Sequence, residues 1–221
     1  MSKNAIIFGG SGFLGSHVAD ALSENGYTVT LFDLQASPYI RTDQTMVVGS
    51  ILDTGKVNCA MKGQDIAFHF AGLSDLDMGK DQPIEVANQN IIGTINLLNE
   101  SIKANIKRFV FASTIYVYSD LGGFYRCSKQ ATELFIEEFN KCYGLNFTVL
   151  RYGSLYGPRA SASNGIRRYL SQALQSGKIT YPGTGDEMRE YINVRDAARL
   201  SVDILSSEYK NKHIVITGHH P

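Results

Sequence analysis

Short apolar runs alternate with longer amphipathic stretches from the N-terminus to about residue 151. Ala5–Phe8 is apolar, a glycine-rich turn follows, and Phe13–Glu24 has helical spacing that ends near Asn25 and Gly26. Buried strands of a parallel sheet are continuous apolar runs, whereas the helices that cover the sheet repeat their apolar residues with a helical period. The pattern therefore predicts alternating strands and helices, which is typical of an α/β fold.

The alternation repeats often enough to define a complete sheet. Right-handed crossovers between such strands give a doubly wound parallel sheet of the Rossmann type. We predict further strands at Tyr27–Phe32, Met46–Val48, Ile66–Phe70, Phe109–Ala112 and Phe147–Arg151, and further helices after Asp53, over Pro83–Ala104 and over Tyr125–Tyr143.

The pattern loosens after Arg151, where glycine, proline and serine punctuate residues 153–165. We expect one helix over Ile166–Ser176, a turn-rich stretch, a helix over Val194–Leu205 and a last strand over His213–Thr217. This region is predicted to be a small lobe over the C-terminal edge of the sheet, where ligands of α/β proteins bind.

Composition and charge exclude several classes of partner. The 221 residues are 43% apolar, and the 21 basic and 21 acidic residues cancel, so neither nucleic acid nor a membrane surface is expected as a partner. No apolar run approaches the roughly 20 residues of a membrane helix, and the N-terminus lacks a signal-peptide apolar region. Cys59, Cys127 and Cys142 have no metal-ligand spacing, and the adjacent His219 and His220 are expected to be a solvated tail, so we expect no metal. Sparse, odd cysteines indicate a reducing compartment, and we expect a cytoplasmic location.

The turn after the first strand carries three glycines, Gly9, Gly12 and Gly15. Such a turn lets the backbone approach a pyrophosphate and presents the N-terminus of a helix to the phosphates, although a glycine motif alone is equally often a turn without a ligand. Asp33 ends the second strand and is placed to accept hydrogen bonds from ribose hydroxyls. Its charge repels a 2′-phosphate, and residues 34–36 supply no arginine, so the sequence predicts NAD rather than NADP.

Tyr125 and Lys129 form a Y-x-x-x-K pair at the start of a predicted helix. Positions i and i+4 share a helix face, and a nearby cation is expected to lower the pKa of the tyrosine so that it can act as a general base. Lys129 would also hold the nicotinamide ribose, whereas Cys127 lies off that face and is expected to pack. The motif alone is common, and its structural interpretation is then the more frequent one.

Further segments combine with these motifs in a characteristic order along almost the whole chain. With them, the chain resembles the extended short-chain dehydrogenase/reductase family, in its NAD-dependent nucleotide-sugar epimerase/dehydratase branch. The matching segments are Phe8–His17, Phe68–Leu73, Asn90–Thr94, Phe109–Thr114, Tyr125–Lys129, Arg151–Arg159 and Arg189–Asp196.

The resemblance implies a role for each matching position. Thr114 falls where the family has a catalytic serine or threonine, although a strand-end hydroxyl that satisfies backbone groups is the simpler explanation of the residue alone. Arg189 matches an arginine that holds the nucleotide diphosphate, with a solvated surface arginine as the alternative. Tyr152 would lie beside the nicotinamide, and Asn90 would steady the local backbone. The other implied cofactor contacts are Phe13, Leu14, Ser50, Ile51, Phe70, Ala71 and Gly72, and the other implied substrate contacts are Ser74 and Ser154.

The chain also departs from the family pattern. Ile115 and Tyr116 stand where sugar 4,6-dehydratases carry an Asp-Glu acid/base pair, which disfavours water elimination. Serines 50, 74 and 154 replace an aspartate, a lysine and an asparagine, and the loop Ser119–Phe124 is shorter than usual. Family members continue past the last strand, so we expect residues 1–152 to be an NAD-binding Rossmann domain and residues 153–221 a partial, truncated substrate lobe interleaved with the last sheet elements.

Three functions remain open at this point: a nucleotide-sugar epimerase, most readily a 4-epimerase that works through a transient keto-sugar; a nucleotide-sugar dehydrogenase or reductase; and a non-catalytic NAD-binding protein. A nucleotide-diphosphate sugar is the expected ligand of the first two. The resemblance also implies a homodimer, in which the helices over Pro83–Ala104 and Tyr125–Tyr143 pair across a two-fold axis. Their apolar residues include Ile91, Ile92, Leu134, Phe135 and Phe139, which otherwise would only cover the sheet.

Overall fold

A computed structural model describes residues 3–75, 80–181 and 183–218, and the histidines at 219 and 220 lie outside them. Its strands are β1 (Asn4–Phe8), β2 (Thr28–Asp33), β3 (Gln44–Val48), β4 (Ile66–His69), β5 (Arg108–Thr114), β6 (Phe147–Tyr152), β7 (Ser154–Tyr156), β8 (Tyr191–Asn193) and β9 (Lys212–Ile216). Seven of them form one parallel sheet in the order β3-β2-β1-β4-β5-β6-β9, and β7 pairs with β8 in a second, two-stranded sheet. The predicted doubly wound parallel fold is confirmed.

Helices cover both faces of the large sheet. Along β1, Ala5 and Ile7 belong to one buried cluster, whereas Ile6 and Phe8 belong to the other. This alternation follows from the two-residue period of a strand and gives the sheet a core on each side. The helices are α1 (Phe13–Glu24), α2 (Thr54–Met61), α3 (Pro83–Val86), α4 (Gly93–Lys103), α5 (Gly123–Tyr143), α6 (Gly165–Ser176) and α7 (Val194–Asp203).

Each core is built by a different set of helices. Val18 of α1 and Ala197 of α7 pack in the cluster that contains Ile7, and Leu97 of α4 and Ile136 of α5 pack in the cluster that contains Phe8. Burying a valine, leucine or isoleucine side chain contributes about 1.5–3 kcal/mol relative to leaving it in water. The edge of the sheet, where the strands end, is therefore held on a scaffold packed from both sides.

The predicted helix over Pro83–Ala104 contains a wider turn. Between α3 and α4, Ala87–Ile92 forms a π-helical turn. Within it the backbone carbonyl of Asn90 accepts hydrogen bonds from the hydroxyls of Thr94 at 2.5 Å and Thr132 at 3.2 Å. Turns of this kind occur often at functional sites, and this one lies beside the start of α5.

One strand and one helix are longer than predicted, each for an identifiable reason. The strand expected to end at Ala112 continues through Ser113 and Thr114, which pair with β6 and are buried. The helix expected to begin at Tyr125 begins at Gly123, because Gly122 has a φ of 94° and takes the left-handed conformation before it. No helix in the described ranges is long and apolar enough to cross a bilayer.

Candidate active site

The residues predicted to form the site follow the carboxyl ends of neighbouring parallel strands. Phe8 of β1 pairs with Phe32 of β2 and with His69 of β4, so these strands end at one edge of the sheet. Ligands of doubly wound folds bind at this edge. Asp33 and Thr114 are the last residues of β2 and β5 at this edge. The glycine turn, residues 50 and 51, residues 70–72 and Ser154 follow the ends of β1, β3, β4 and β6.

The glycine turn forms a cradle that suits a dinucleotide. Gly9 has a φ of 85°, and a Cβ added to it would overlap the backbone of Ala71; one added to Gly15 would overlap the carbonyl of Gly9. Gly12 caps α1 without a side-chain hydrogen bond, and the first turn of the helix carries no acidic residue. The helix N-terminus therefore offers its backbone N–H groups to an anion, with Phe13 and Leu14 in that first turn.

Asp33 is part of this cradle. One carboxylate oxygen accepts a hydrogen bond from the backbone N–H of Ser11 at 2.9 Å, and the other accepts one from Leu34 at 2.7 Å. A carboxylate has further lone pairs for ribose hydroxyls. The contact to Ser11 also couples the position of the acid to the shape of the glycine turn.

Asn90 holds the segment after β4. Its amide oxygen accepts from the backbone N–H of Leu73 at 2.7 Å, and its amide nitrogen donates to the carbonyl of Leu73 and to the hydroxyl of Ser128, both at 2.9 Å. A Cβ on Gly72 would approach Asn90 Oδ1 to 2.6 Å. These contacts agree with the backbone-steadying role expected for Asn90.

Thr114, Tyr125 and Lys129 meet at the end of β5. Thr114 and Tyr125 share a side-chain hydrogen bond, and Thr114 Oγ1 also accepts from the backbone N–H of Tyr116 at 3.2 Å. Lys129 Nζ lies 5.6 Å from the centre of the Tyr125 ring and donates to the carbonyl of Ala112 at 2.7 Å. The sequence pair and the strand-end hydroxyl thus form one cluster. The Thr114 hydroxyl satisfies a backbone N–H group, and its catalytic role stays a prediction.

The predicted effect of Lys129 on Tyr125 is wrong in this structure. Burial raises the pKa of Tyr125, the nearby Tyr116 hydroxyl raises it further, and only the hydrogen bond with Thr114 lowers it. Burial also lowers the pKa of Lys129 to about 7, with Glu133 acting in the opposite direction. Taking either group out of water disfavours its charged form more than the neighbouring groups favour it.

Arg189 reaches the same end of the sheet from the C-terminal stretch. Its Nη1 donates to the hydroxyl of Tyr116 at 3.1 Å, which brings this exposed side chain beside the cluster. Next to Arg189, Glu190 accepts through its carbonyl from the backbone N–H of Ser154 at 3.2 Å, which places the predicted Ser154 close by. Ser74 is exposed and no described contact joins it to this cluster.

Three further predicted cofactor contacts, Tyr152, Ser50 and Ile51, differ in their surroundings. The Tyr152 ring lies 6.5 Å from that of Phe70, and its hydroxyl is 2.6 Å from that of Ser201, inside the core. Ser50 accepts from the backbone N–H of Leu52 at 3.2 Å, and Ile51 is buried. Their roles toward a ligand stay predictions.

Three features of the site were missed from the sequence, and one prediction about a neighbour was wrong. Tyr116 was noted only as a departure from the dehydratase pattern, and the role of Ser128 as a partner of Asn90 has no sequence signal. Glu133, one turn after Lys129, accepts from Ser113 and Arg151 and could have been found by its helical spacing. Cys127, expected to pack, is exposed because its position on α5 faces away from the sheet.

Comparisons with known proteins identify the family of this chain. A sequence model described as the NAD dependent epimerase/dehydratase family matches residues 5–217. A UDP-N-acetyl-alpha-D-glucosaminuronate decarboxylase of Bacillus cytotoxicus is 28% identical, over 98% of this chain and 75% of that protein. A UDP-glucose 4-epimerase of Yersinia enterocolitica is 27% identical, over 87% of this chain and 70% of that protein.

A solved structure of an epimerase is also similar to this chain. The crystal structure of UDP-glucose 4-epimerase from Thermotoga maritima with UDP-glucose superposes with a TM-score of 0.90 at 30% identity. The match covers 97% of this chain and 76% of that one. The chain therefore spans about three quarters of the length of these relatives. The substrates in the names are those of the relatives.

Proposed function

Because this chain belongs to the NAD dependent epimerase/dehydratase family and is accordingly an enzyme that uses NAD, we propose that it is a nucleotide-sugar 4-epimerase. The observation that carries the proposal is the cluster at the end of β5. There Tyr125 hydrogen-bonds Thr114, and Lys129 lies against the Tyr125 ring. A phenol and a hydroxyl side by side suit proton exchange with a sugar hydroxyl.

In the proposed reaction Tyr125 acts as the phenolate, after releasing its own proton to solvent. It removes the proton of the sugar hydroxyl while that carbon is oxidised, and returns it when the carbon is reduced on its other face. Thr114 orients the hydroxyl and stabilises the ionised phenol through its hydrogen bond. Lys129, whose Nζ donates to the Ala112 carbonyl and lies 5.6 Å from the centre of the Tyr125 ring, would hold the nicotinamide ribose. Tyr125 and Thr114 thus act on the reacting sugar hydroxyl, and Lys129 acts on Tyr125.

The cofactor site is assigned to the cradle at the first strand. Gly9, Gly12 and Gly15 would admit the pyrophosphate, and Asp33 would receive the adenosine ribose. Bound NAD supplies the reversible oxidation of the sugar carbon, a redox step for which amino-acid side chains have no group. We propose that Asp33 makes the chain prefer NAD to NADP.

The position of Ile115 and Tyr116 favours epimerisation over sugar dehydration. An apolar side chain and a phenol stand where the dehydratase pattern has two carboxyl groups, so that acid/base pair is lacking. Dehydrogenation with release of product would use the same residues as epimerisation. It is distinguished by the formation of one NADH for each sugar oxidised.

The test is an incubation of the chain with NAD and single UDP-, dTDP-, GDP- and CDP-sugars, followed by separation of C4 epimers and measurement of absorbance from reduced cofactor. We expect interconversion of two C4 epimers with no net reduction of NAD. Stoichiometric NADH would assign a dehydrogenase, release of carbon dioxide from a uronic-acid sugar would assign a decarboxylase, and NAD binding without turnover would leave a non-catalytic protein.

We also propose that the chain acts as a cytoplasmic homodimer. The three cysteines are unpaired and exposed, which suits a reducing compartment. Ile92, Leu134 and Phe135 are exposed on neighbouring helices, whereas Ile91 is half-buried and Phe139 packs against the core. Pairing of these helices would remove the exposed apolar side chains from water.

A further inference from the structure

Tyr116 is fixed at three points, one on its backbone and two on its side chain. Its backbone N–H donates to Thr114 Oγ1 at 3.2 Å, and its hydroxyl accepts from Arg189 Nη1 at 3.1 Å. The base of its ring lies against Gly122, where an added Cβ would come within 3.2 Å of the Tyr116 Cβ and Cγ. A tyrosine that only filled surface space would not need its backbone, its ring and its hydroxyl held separately.

The hydrogen bond with Arg189 leaves the hydroxyl hydrogen of Tyr116 available. A guanidinium has donors and no acceptor, so in this pair the phenol oxygen must accept. No acceptor among residues 3–75, 80–181 and 183–218 is bonded to that hydrogen. The O–H of Tyr116 and the remaining N–H groups of Arg189 are therefore adjacent donors.

Arg189 itself is surrounded by phenols. The hydrogen bond and charge interaction with Tyr116 raise its pKa most, and Tyr191 and Tyr181 contribute further. No carboxylate in the described part of the chain forms an ion pair with it, unlike Arg151, which pairs with Glu133. A cation with a neighbouring O–H donor and no paired anion suits a phosphate group.

We propose that Tyr116 is a further substrate-positioning residue, whose O–H donates to a phosphate oxygen of the nucleotide diphosphate held by Arg189. The proposal rests on the proposed function, because that function supplies the nucleotide-diphosphate ligand. Tyr116 follows Thr114 by two residues, so a phosphate bound at Tyr116 would hold the attached sugar next to Thr114 and Tyr125. Tyr116 thus sets the distance between the diphosphate and the reacting hydroxyl.

The test is calorimetric titration of the NAD-loaded chain with UDP, dTDP, GDP and CDP, continued with the tightest ligand. A hydrogen bond to a charged group is typically worth enough to change affinity about 10- to 100-fold, so Tyr116→Phe should weaken nucleotide binding by that factor. NAD affinity and Tm should not change. In turnover, KM should rise by a similar factor because uniform binding is lost, and kcat should change less than KM.

Two matched variants make the result specific. Tyr118→Phe removes the hydroxyl of a nearby exposed tyrosine that binds Arg151, and should leave nucleotide affinity unchanged. In an Arg189→Gln background, Tyr116→Phe should have a much smaller effect, because the two donors bind one phosphate. Nucleotide binding that Tyr116→Phe leaves intact would overturn this proposal alone. Absence of binding of all four nucleotides to the unsubstituted chain would overturn it together with the proposed function.

Discussion

Lys129 Nζ donates a hydrogen bond to the carbonyl oxygen of Ala112 at 2.7 Å, and the same nitrogen lies 4.5 Å from the centre of the Phe111 ring. The amino group is thus buried against β5, and burial lowers its pKa to about 7. The Y-x-x-x-K spacing correctly puts Lys129 and Tyr125 on one helix face. It does not reveal how strongly the sheet beneath them disfavours charge.

The first prediction concerns the pH dependence of stability. Between pH 7 and 10.5, the unfolded chain keeps a proton on Lys129 that the folded chain has released, so raising the pH favours folding in this window. Below pH 7 both states are protonated and the full cost of burying the charge is present. Relative to Lys129→Met, the unsubstituted chain should gain about 1.4 kcal/mol per pH unit within this window.

Denaturant unfolding of both chains without added NAD, from about pH 7 to about pH 9.5, measures this difference while staying below the usual pKa of tyrosine. A difference in unfolding free energy that does not change with pH would contradict a lowered pKa for Lys129.

The second prediction separates chemistry from cofactor binding. Tyr125→Phe removes the proton-carrying oxygen but keeps the ring beside Lys129, so turnover should fall about 100- to 10,000-fold and NAD affinity should stay the same. Lys129→Ala should lower both. The measurements are epimer production and NAD titration, and wild-type turnover by Tyr125→Phe would exclude the proposed acid/base role.

The third prediction concerns cofactor choice. Asp33→Asn keeps the shape of the side chain and one acceptor for Ser11 or Leu34, but removes the negative charge. We expect NAD affinity to fall about 10-fold and the preference over NADP to narrow, because the repulsion of a 2′-phosphate is lost. Asp53→Asn is the control, since Asp53 caps α2 through the backbone N–H of Lys56. If Asp33→Asn and the unsubstituted chain had the same ratio of NAD affinity to NADP affinity, the assignment of Asp33 to cofactor choice would be rejected.

The fourth prediction tests the support behind the site. Glu133 is buried and binds Arg151 through two N–H groups, at 3.1 Å and 2.5 Å, as well as the hydroxyl of Ser113. Glu133→Gln leaves the Arg151 charge without its partner and should lower the free energy of unfolding by about 3 kcal/mol. Glu138→Gln, at an exposed pair with Lys141, should leave it unchanged. Chemical denaturation of the two variants decides between a structural and a dispensable ion pair.

These positions show which features can be predicted from the sequence. Apolar runs and the glycine turn predicted the sheet, because strand burial and left-handed turns leave a local signal. Ser113 and Thr114 were left outside their strand, because their polar character resembles a turn until Glu133 and Tyr125 are seen to satisfy them. The bond between Arg189 and Tyr116 joins residues 73 positions apart and has no local signal at all.

The last prediction concerns the apolar surface on α5. Leu134 is 66% exposed and Phe135 is 42% exposed, and Ile92 on the adjacent π-helical turn is 48% exposed. Stable protein–protein interfaces of standard size bury about 800 Å² on each partner. Leu134→Glu would place a charge in that interface, so it should convert a dimer into a monomer in light scattering at micromolar concentration, with Tm and NAD affinity of the monomer showing that the fold is intact.

The control uses another exposed leucine, which lies on a different helix. Leu174 on α6 is 87% exposed and lies outside α5 and the π-helical turn, so Leu174→Glu should keep the mass of the unsubstituted chain. Dissociation by Leu174→Glu but not by Leu134→Glu would move the interface to α6. A monomeric mass for the unsubstituted chain would reject the dimer, because Leu134 would then not be covered by a second copy of the chain.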